Sequence, residues 1–301
     1  MLSINKLSHT YPNGVQALDD IQLNIPNGMF GLLGPNGAGK SSLMRTIATL
    51  QQPSSGSIRF DDIDVLQEPD RLRRQLGYLP QDFGVYPRAT AQELLNHLAV
   101  LKGIAARQRR ALVDHLLQQT NLYAVRQQRV STFSGGMRQR FGIAQALIGA
   151  PKLIIVDEPT AGLDPEERSR FLNLLADIGE HVVVLLSTHL VGDVAELCPR
   201  MAIMADGRIL AQGAPAAMTR ALTGQIWQRR IDKADLPRFK AKHRVLSSHL
   251  NGGRCVIRIQ SEQPVDDDFS AVEPTLSDAY FAVMTEGQSA PSSPPQSGLN
   301  A

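Results

Sequence analysis

The sequence has few cysteines, little net charge and no long apolar run. Its two cysteines, Cys198 and Cys255, stand far apart without metal-ligand spacing, so we expect free, reduced thiols and neither a metal centre nor a nucleophile. A net charge of +2 gives no reason to expect nucleic acid or an anionic membrane as a partner. The longest apolar runs, such as residues 182–186, are far shorter than the ~20 residues of a membrane helix. Residues 1–6 lack the hydrophobic core of a signal peptide, so we expect a protein that does not cross a membrane alone.

A glycine-rich segment is the clearest pattern that is present. It fits G-x-x-x-x-G-K-[ST], and its residues are Gly34, Pro35, Asn36, Gly37, Ala38, Gly39, Lys40 and Ser41. An apolar run of strand length precedes it, and residues 42–48 after it have apolar positions at helical spacing. Strand, glycine loop and helix N-terminus form a phosphate site, because backbone N–H groups and the helix dipole converge on the anion. We therefore predict nucleoside triphosphate binding, with Lys40 on the β- and γ-phosphates and the Ser41 hydroxyl on Mg²⁺.

A pair of carboxylates follows a second apolar run. Residues 153–156 are apolar throughout, as is typical of a buried parallel strand, and Asp157 and Glu158 come directly after them. The chain changes direction at a strand end, so the two carboxylates need not share a face. We predict that Asp157 serves the metal and that Glu158 orients the attacking water.

A second anion cradle is predicted at the start of another helix. Ser134, Gly135 and Gly136 precede a helix expected from Met137 to about Ile148, and its N-terminus would present free N–H donors. A second cradle without a lysine is unexpected in a kinase. It makes sense if it closes over a nucleotide that another molecule holds.

The order of apolar patterns predicts the fold class and its parts. Strand-length runs alternate with helical stretches up to about residue 213, which indicates an α/β domain with a mostly parallel sheet. Ile21, Leu23 and Ile25 alternate with polar residues and predict an N-terminal antiparallel β subdomain. Two amphipathic helices predict a helical subdomain at about residues 88–150, and Asp206-Gly207 predicts a hairpin.

Three segments are expected along the chain. Residues 1–214 form the predicted ATPase domain, and residues 215–286 form a small α+β appendage with a strand at 255–259 and a helix at 276–284. Residues 287–301 are rich in serine and proline, and we expect them to be disordered.

These motifs, in this order, resemble those of the ATP-binding subunits of ABC transporters over roughly residues 2–213. Residues 34–41 resemble the Walker A loop, residues 153–157 the Walker B strand, and residues 133–137 the family's signature. The resemblance implies a P-loop NTPase core with ATP and Mg²⁺ as cofactors. It also implies a dimer in which each ATP lies between one copy's Walker A loop and the other copy's signature.

The resemblance assigns roles to single residues. It implies that Glu158 is the catalytic glutamate, that His189 senses the γ-phosphate, and that Gln81 touches Mg²⁺ or water where the membrane subunit docks. The implied Mg²⁺ ligands are Ser41, Gln81 and Asp157. The implied nucleotide contacts are Tyr11 (stacked on adenine), Gly34, Pro35, Asn36, Gly37, Ala38, Gly39, Lys40, Ser41, Ser42, Ser134, Gly135, Gly136 and the D-loop residue Asp164.

The signature departs from the family pattern, because Met137 stands where Leu-Ser-Gly-Gly-Gln has glutamine. This departure, residues 77–87 and residues 274–280 resemble the exporter-type branch called ABC-2. The resemblance implies export through a separate membrane-spanning permease, with this chain on the cytoplasmic face of the membrane. The transported molecule is not specified by the sequence.

The sequence leaves other functions open. A non-transport ABC ATPase acting on ribosomes or nucleic acid usually has two cassettes or a long coiled-coil insertion, and the sequence has one phosphate loop and no strong basic patch. A nucleotide kinase leaves Ser134-Gly135-Gly136 and His189 unexplained. A regulator that seldom hydrolyses ATP fits poorly with intact Lys40, Asp157 and Glu158.

Overall fold

The structure, a computed structural model, describes residues 1–84, 86–180, 182–266 and 268–289. The chain divides into two compact units, of which the first is Met1–Gln212 and the second begins at Gly213. No helix within the described ranges has the length and apolar character needed to span a membrane.

The described residues of the first unit form seven α-helices and ten strands, of which the last ends at Gly213. The strands are β1 (Leu2–Thr10), β2 (Gln16–Ile25), β3 (Gly28–Leu33), β4 (Ser55–Phe60), β5 (Ile63–Asp64), β6 (Leu76–Leu79), β7 (Leu153–Asp157), β8 (Val183–Thr188), β9 (Arg200–Ala205) and β10 (Arg208–Gly213). The helices are α1 (Lys40–Ile47), α2 (Pro69–Arg73), α3 (Ala91–Leu101), α4 (Ala106–Gln119), α5 (Gly135–Ala146), α6 (Pro165–Gly179) and α7 (Val191–Leu197).

A six-stranded sheet with the order β10-β9-β3-β8-β7-β6 forms the centre of this unit. The pairs β3–β9, β3–β8, β7–β8 and β6–β7 are parallel. Every residue of β7 and β8 is buried, as expected for parallel strands covered on both faces. Because β3, β8 and β7 are neighbours, the loops after their carboxyl ends meet at one edge of the sheet. The predicted α/β fold with a mostly parallel sheet is confirmed.

The hairpin predicted at Asp206-Gly207 joins β9 and β10 at the edge of this sheet. Both residues have positive φ angles, 47° and 76°, as a tight two-residue hairpin turn requires. The Gly207 N–H donates to the Ala38 carbonyl at 3.0 Å, and the Asp19 N–H donates to the Gly207 carbonyl at 2.9 Å. The turn therefore holds the glycine-rich loop from the side.

An antiparallel sheet and a helical layer complete the unit. Strands β1, β2, β4 and β5 form a sheet with the order β2-β1-β4-β5, and its β1–β2, β1–β4 and β4–β5 pairs are antiparallel. Helices α3, α4 and α5 share an apolar cluster that includes Leu95, Leu117 and Phe141. Helix α5 begins two residues earlier than predicted, because the Ser134 side chain caps it by accepting the Met137 N–H.

The second unit is a small α+β fold. Its elements are α8 (Pro215–Arg220), β11 (Ile226–Ile231), α9 (Leu236–Lys242), β12 (Arg244–Asn251), β13 (Arg254–Gln260), β14 (Ser270–Ala271) and α10 (Leu276–Ser289). The sheet has the order β12-β13-β11-β14, and all its pairs are antiparallel. Helix α10 continues to Ser289, so residues 287–289 are helical where a disordered tail is predicted. Residues 290–301 of that predicted tail lie outside the described residues.

Candidate nucleotide-binding site

The glycine-rich loop connects β3 to the N-terminus of α1. Gly39 has a φ of 101°, and a Cβ there would meet the carbonyl of Ala17, so both the backbone and the space require glycine. Helix α1 starts directly after it, and its first turn contains no acidic residue. The free N–H groups of this turn and their partial positive charge are therefore available to an anion.

Lys40, the first residue of α1, turns back over the loop. Its Nζ donates to the carbonyl of Gly34 at 2.8 Å and to that of Pro35 at 3.1 Å. Nζ also lies 3.4 Å from Oε1 of Glu158, and the lysine side chain is 5% exposed. The ammonium is thus held in place by neutral carbonyls and by one carboxylate.

Asp157 and Glu158 point to different partners at the end of β7. Asp157 is buried and accepts the Ser187 hydroxyl at 2.7 Å. Burial, together with the negative charge of Asp157, raises the pKa of the Tyr78 phenol on the neighbouring strand β6. Glu158 has a φ of 47°, a left-handed conformation that is costly for a residue with a side chain. This backbone turn separates the two carboxylates, as the sequence predicts.

His189 lies directly after β8 and faces Glu158. Its Nδ1 is 3.2 Å from Oε2 of Glu158, and its side chain is 40% exposed. The Glu158 N–H also donates to the Ser187 carbonyl at 2.9 Å. The glutamate therefore lies between Lys40 and His189, with one carboxylate oxygen towards each.

A cleft of about 630 Å³ lies over the glycine loop. Among the residues predicted to contact nucleotide or metal, those that line it are Tyr11, Asn36, Gly37, Ala38, Gly39, Lys40, Ser41, Ser42, Gln81 and Glu158. The Tyr11 hydroxyl is 3.0 Å from Ser42 Oγ and donates to Gln51 Oε1 at 3.2 Å. The His9 and Tyr11 rings pack edge to face, with 4.6 Å between their centroids. These contacts fix the tyrosine ring at the mouth of the cleft.

The residues of the second cradle lie elsewhere. Ser134, Gly135 and Gly136 form the N-terminus of α5 and are absent from the described lining of this cleft. Asp164 caps α6, where its carboxylate accepts the Glu167 N–H at 2.8 Å. The structure thus brings together the Walker A, Gln81 and Glu158 residues and leaves these four apart from them.

The predicted magnesium ligands fit the ion by their chemistry. Ser41 and Gln81 line the cleft, and Asp157 ends the strand beside it, so the donor set is made only of oxygens. Mg²⁺ prefers oxygen ligands and usually takes one or two carboxylates together with substrate phosphates. Among the described residues no cluster of three or more His, Cys, Asp or Glu side chains offers another metal site.

Several residues of the cleft are missed by the sequence analysis. The lining also includes Val15, Gln16, Ala17, Asp206 and Gly207, which come from the start of β2 and from the β9–β10 turn. The turn itself carries a clear sequence signal, but its position against the glycine loop depends on the strand order. Gln51 and Ser187, which hold Tyr11 and Asp157, carry no signal of their own.

Comparisons with known proteins agree with this geometry. The model of the family described as ABC transporter matches residues 18–161. The daunorubicin/doxorubicin resistance ATP-binding protein DrrA of Streptomyces peucetius is 36% identical over 242 residues, which are 79% of this chain and 72% of DrrA. The chain belongs to the family of ABC transporter ATP-binding proteins.

Solved ABC cassettes share the fold of this ABC transporter ATP-binding protein. The dimeric post-hydrolysis structure of the ATP-binding cassette MJ0796 with ADP and Pi is 27% identical, with a TM-score of 0.65, over 71% of this chain and 98% of that one. The structure of cbiO1 from Clostridium perfringens, part of the transporter complex cbiONQ, is 28% identical, with a TM-score of 0.67, over 80% of this chain and 97% of that one. The ABC protein described here is an ATPase that binds and hydrolyses ATP, and the family assignment and the P-loop NTPase fold predicted from the sequence are confirmed.

Proposed function

We propose that this ABC ATPase hydrolyses ATP in the cleft over the glycine loop and uses the energy to drive export by a separate permease. The observation that carries the proposal is the convergence of Lys40, Glu158 and His189 at the carboxyl ends of three adjacent strands. Lys40 holds the β- and γ-phosphates, and the free N–H groups of the loop and of α1 hold the remaining phosphate oxygens. Tyr11 stacks on the adenine.

Glu158 is the group that orients and polarises the attacking water. Its carboxylate is 10% exposed and lies between an ammonium and an imidazole, so its position is fixed on both sides. His189, at 3.2 Å from the carboxylate, holds the γ-phosphate and keeps Glu158 in place. General-base groups contribute about 10²–10⁴-fold to rate.

Magnesium binding is part of the proposal. Ser41, Gln81 and Asp157 would hold Mg²⁺, which supplies charge neutralisation at the phosphates when it is bound. The Ser187 hydroxyl, at 2.7 Å, orients the Asp157 carboxylate towards this role.

The active form is a dimer of two copies arranged head to tail. The N-terminus of α5 has no acidic residue in its first turn and is capped by the Ser134 hydroxyl oxygen, which leaves the hydroxyl hydrogen free to donate. Because it does not line the cleft of its own chain, it serves the nucleotide of the second copy. The dimeric MJ0796 cassette supports this arrangement by similarity.

The permease docks on the face formed by α2, β6, α3, α5 and the segment after α1. An open groove of about 810 Å³ on this face is lined by Leu50 and Leu101, which are 62% and 70% exposed. Its charged lining residues are Arg73, Arg74, Lys102 and Asp70, so cations outnumber the one carboxylate, which is paired with Arg73 at 3.0 Å. Exposed leucines beside cations suit a short amphipathic, acidic segment of the permease. Docking there places this chain on the cytoplasmic face of the membrane.

Three finer proposals complete this function. Similarity to DrrA, a drug-resistance protein by name, favours export of a small molecule. We propose that the two compact units correspond to the predicted ATPase domain and appendage, with the division at Gly213 and not at residues 214 and 215. We propose that nucleic acid is not a partner of this protein.

Glu158→Gln tests the proposed function. The change keeps the size of the side chain and removes its charge, so ATP still binds while hydrolysis falls about 10²–10⁴-fold. Uncleaved ATP then holds the closed dimer by mass action. We expect the variant to elute as a dimer with ATP and as a monomer without it on size exclusion. Adding Ser134→Arg fills the second cradle and abolishes the dimer. A variant that stays monomeric at saturating ATP, with and without the permease, contradicts the composite site.

A further inference from the structure

A buried carboxylate lies next to the site and has no role in the function proposed above. Asp193 on α7 is 0% exposed. Its Oδ1 accepts a hydrogen bond from Arg168 Nε at 2.7 Å and forms an ion pair with Nη2 of the same guanidinium at 2.5 Å. A buried charge is tolerated when it is paired and hydrogen-bonded, and Arg168 meets that condition.

The other oxygen of Asp193 accepts two hydroxyl groups. Thr160 donates to Oδ2 at 2.5 Å, and Thr188 donates to the same oxygen at 3.3 Å. The two threonines are 3% and 1% exposed, so water does not compete for these contacts. Within the described residues, this carboxylate is the side-chain acceptor shared by the loop after β7 and by the last residue of β8.

The loop after β7 and the end of β8 carry or adjoin the groups proposed to hydrolyse ATP. Thr160 is two residues after Glu158, and Thr188 directly precedes His189. The Thr188 hydroxyl also accepts the Leu190 N–H at 2.9 Å, so it fixes the backbone on the far side of His189. The two segments are therefore joined through Asp193, by the Glu158–His189 contact and by the hydrogen bond from the Glu158 N–H to the Ser187 carbonyl.

We infer that Asp193 is a positioning residue for ATP hydrolysis. It holds Thr160 and Thr188 at a fixed separation and thereby sets the distance between the Glu158 carboxylate and the His189 imidazole. Arg168 neutralises its charge and orients Oδ2 towards the two hydroxyls. The inference rests on the proposed roles of Glu158 and His189.

Thr160→Val is the sharpest variant for this inference. It keeps the shape of the side chain and the Arg168–Asp193 ion pair, and it removes the short hydroxyl contact to Asp193. Thr160→Ser restores the hydroxyl and is the matched rescue. Asp193→Asn tests the carboxylate directly. Its control is Glu196→Gln, because Glu196 also faces Arg168, at 3.8 Å, but is 48% exposed and has no contact with either threonine among the described residues.

The measurements are kcat and KM for ATP, the Kd of a fluorescent ATP analogue, and the melting temperature. We expect Thr160→Val and Asp193→Asn to lower kcat by between about tenfold and 10²-fold, as small misplacements of catalytic groups do. The Kd should be unchanged, because the glycine loop is untouched. Thr160→Ser and Glu196→Gln should retain the kcat of the unaltered protein.

Two results would overturn the inference. One is a folded Thr160→Val protein with unchanged kcat, and the other is a loss of kcat that Thr160→Ser shares. If Asp193→Asn does not fold, the comparison of Thr160→Val with Thr160→Ser is sufficient to test the inference. Glu158→Gln is assayed beside these variants. If Glu158→Gln still hydrolyses ATP, the proposed function fails; if it is inactive while Thr160→Val is fully active, only the role of Asp193 fails.

Discussion

Nζ of Lys40 lies 3.4 Å from Oε1 of Glu158, and the two side chains are 5% and 10% exposed. The cation proposed to bind phosphate is thus paired with the carboxylate proposed to orient water. Because a phosphate competes for the same ammonium, binding of ATP and release of the Glu158 carboxylate from Lys40 are expected to occur together.

Lys40→Ala should abolish hydrolysis and weaken ATP binding. A hydrogen bond to a charged group contributes about 1.5–3 kcal/mol, so the affinity for ATP should fall on the order of tenfold or more. Equilibrium binding and a steady-state ATPase assay check this, with Lys152→Ala as the control because Lys152 is exposed. Undiminished hydrolysis in a folded Lys40→Ala protein would disprove the site assignment.

Tyr11→Ala should raise the KM for ATP more than Tyr11→Phe does. A base stacked on an aromatic ring contributes about 1–3 kcal/mol, which corresponds to a rise on the order of tenfold. Phenylalanine keeps the ring and loses only the hydroxyl contacts to Ser42 and Gln51. Equal KM values for the alanine variant and the unaltered protein would remove Tyr11 from the adenine site.

Gly136→Ala should lower the stability of the protein, and Gly135→Ala should not. Alanine in a helix is favoured over glycine by about 0.5–1 kcal/mol, and at Gly135 the nearest atom to a new Cβ is Leu163 Cδ2 at 3.8 Å. At Gly136 the Cβ would overlap the Glu167 side chain and push it from Arg140, its partner at 3.1 Å. Leaving a buried group unpaired costs about 1–3 kcal/mol. Urea unfolding should show Gly135→Ala to be as stable as the parent or more stable, and Gly136→Ala to be less stable; equal midpoints would contradict the overlap.

Cys198 should be unreactive in the folded protein. Burial, assisted by the charge of Asp193, raises the pKa of its thiol from 9.0 to about 12. Above pH 9.0 the thiol ionises in the unfolded protein but not in the folded one, because its pKa is higher in the folded state. The contribution of Cys198 to the free energy of unfolding is therefore fully present below pH 9.0 and is lost as the pH rises towards about 12. A disulfide reagent at pH 8 should label neither Cys198 nor Cys255, since both are buried, and both should react in denaturant. Rapid labelling of Cys198 under native conditions would contradict this.

Local patterns account for much of the site. The glycine segment is predicted with its strand and helix because loop chemistry and periodicity are local properties, and the same holds for the turn at Asp206-Gly207. The start of α5 is misplaced because a serine N-cap can begin a helix on glycines that have low helix propensity.

Contacts between segments that are far apart in the sequence cannot be predicted from local patterns. The order β10-β9-β3-β8-β7-β6 does not follow the sequence, and it alone brings Lys40, Glu158 and His189 together. In the sequence, nothing distinguishes Asp193 from other polar residues of short helices. Its burial depends on Thr160, Arg168 and Thr188, which come from a different loop, helix and strand.

The left-handed backbone at Glu158 sets stability against activity at one position. A φ of 47° costs on the order of 1–3 kcal/mol for a residue with a side chain, and glycine would relieve most of it. Glycine would also remove the carboxylate that pairs with the buried Lys40 ammonium, so the two effects on stability oppose each other at this position. Glutamate in this strained conformation is consistent with selection on turnover, and a thermostabilised version of this cassette must gain its stability elsewhere.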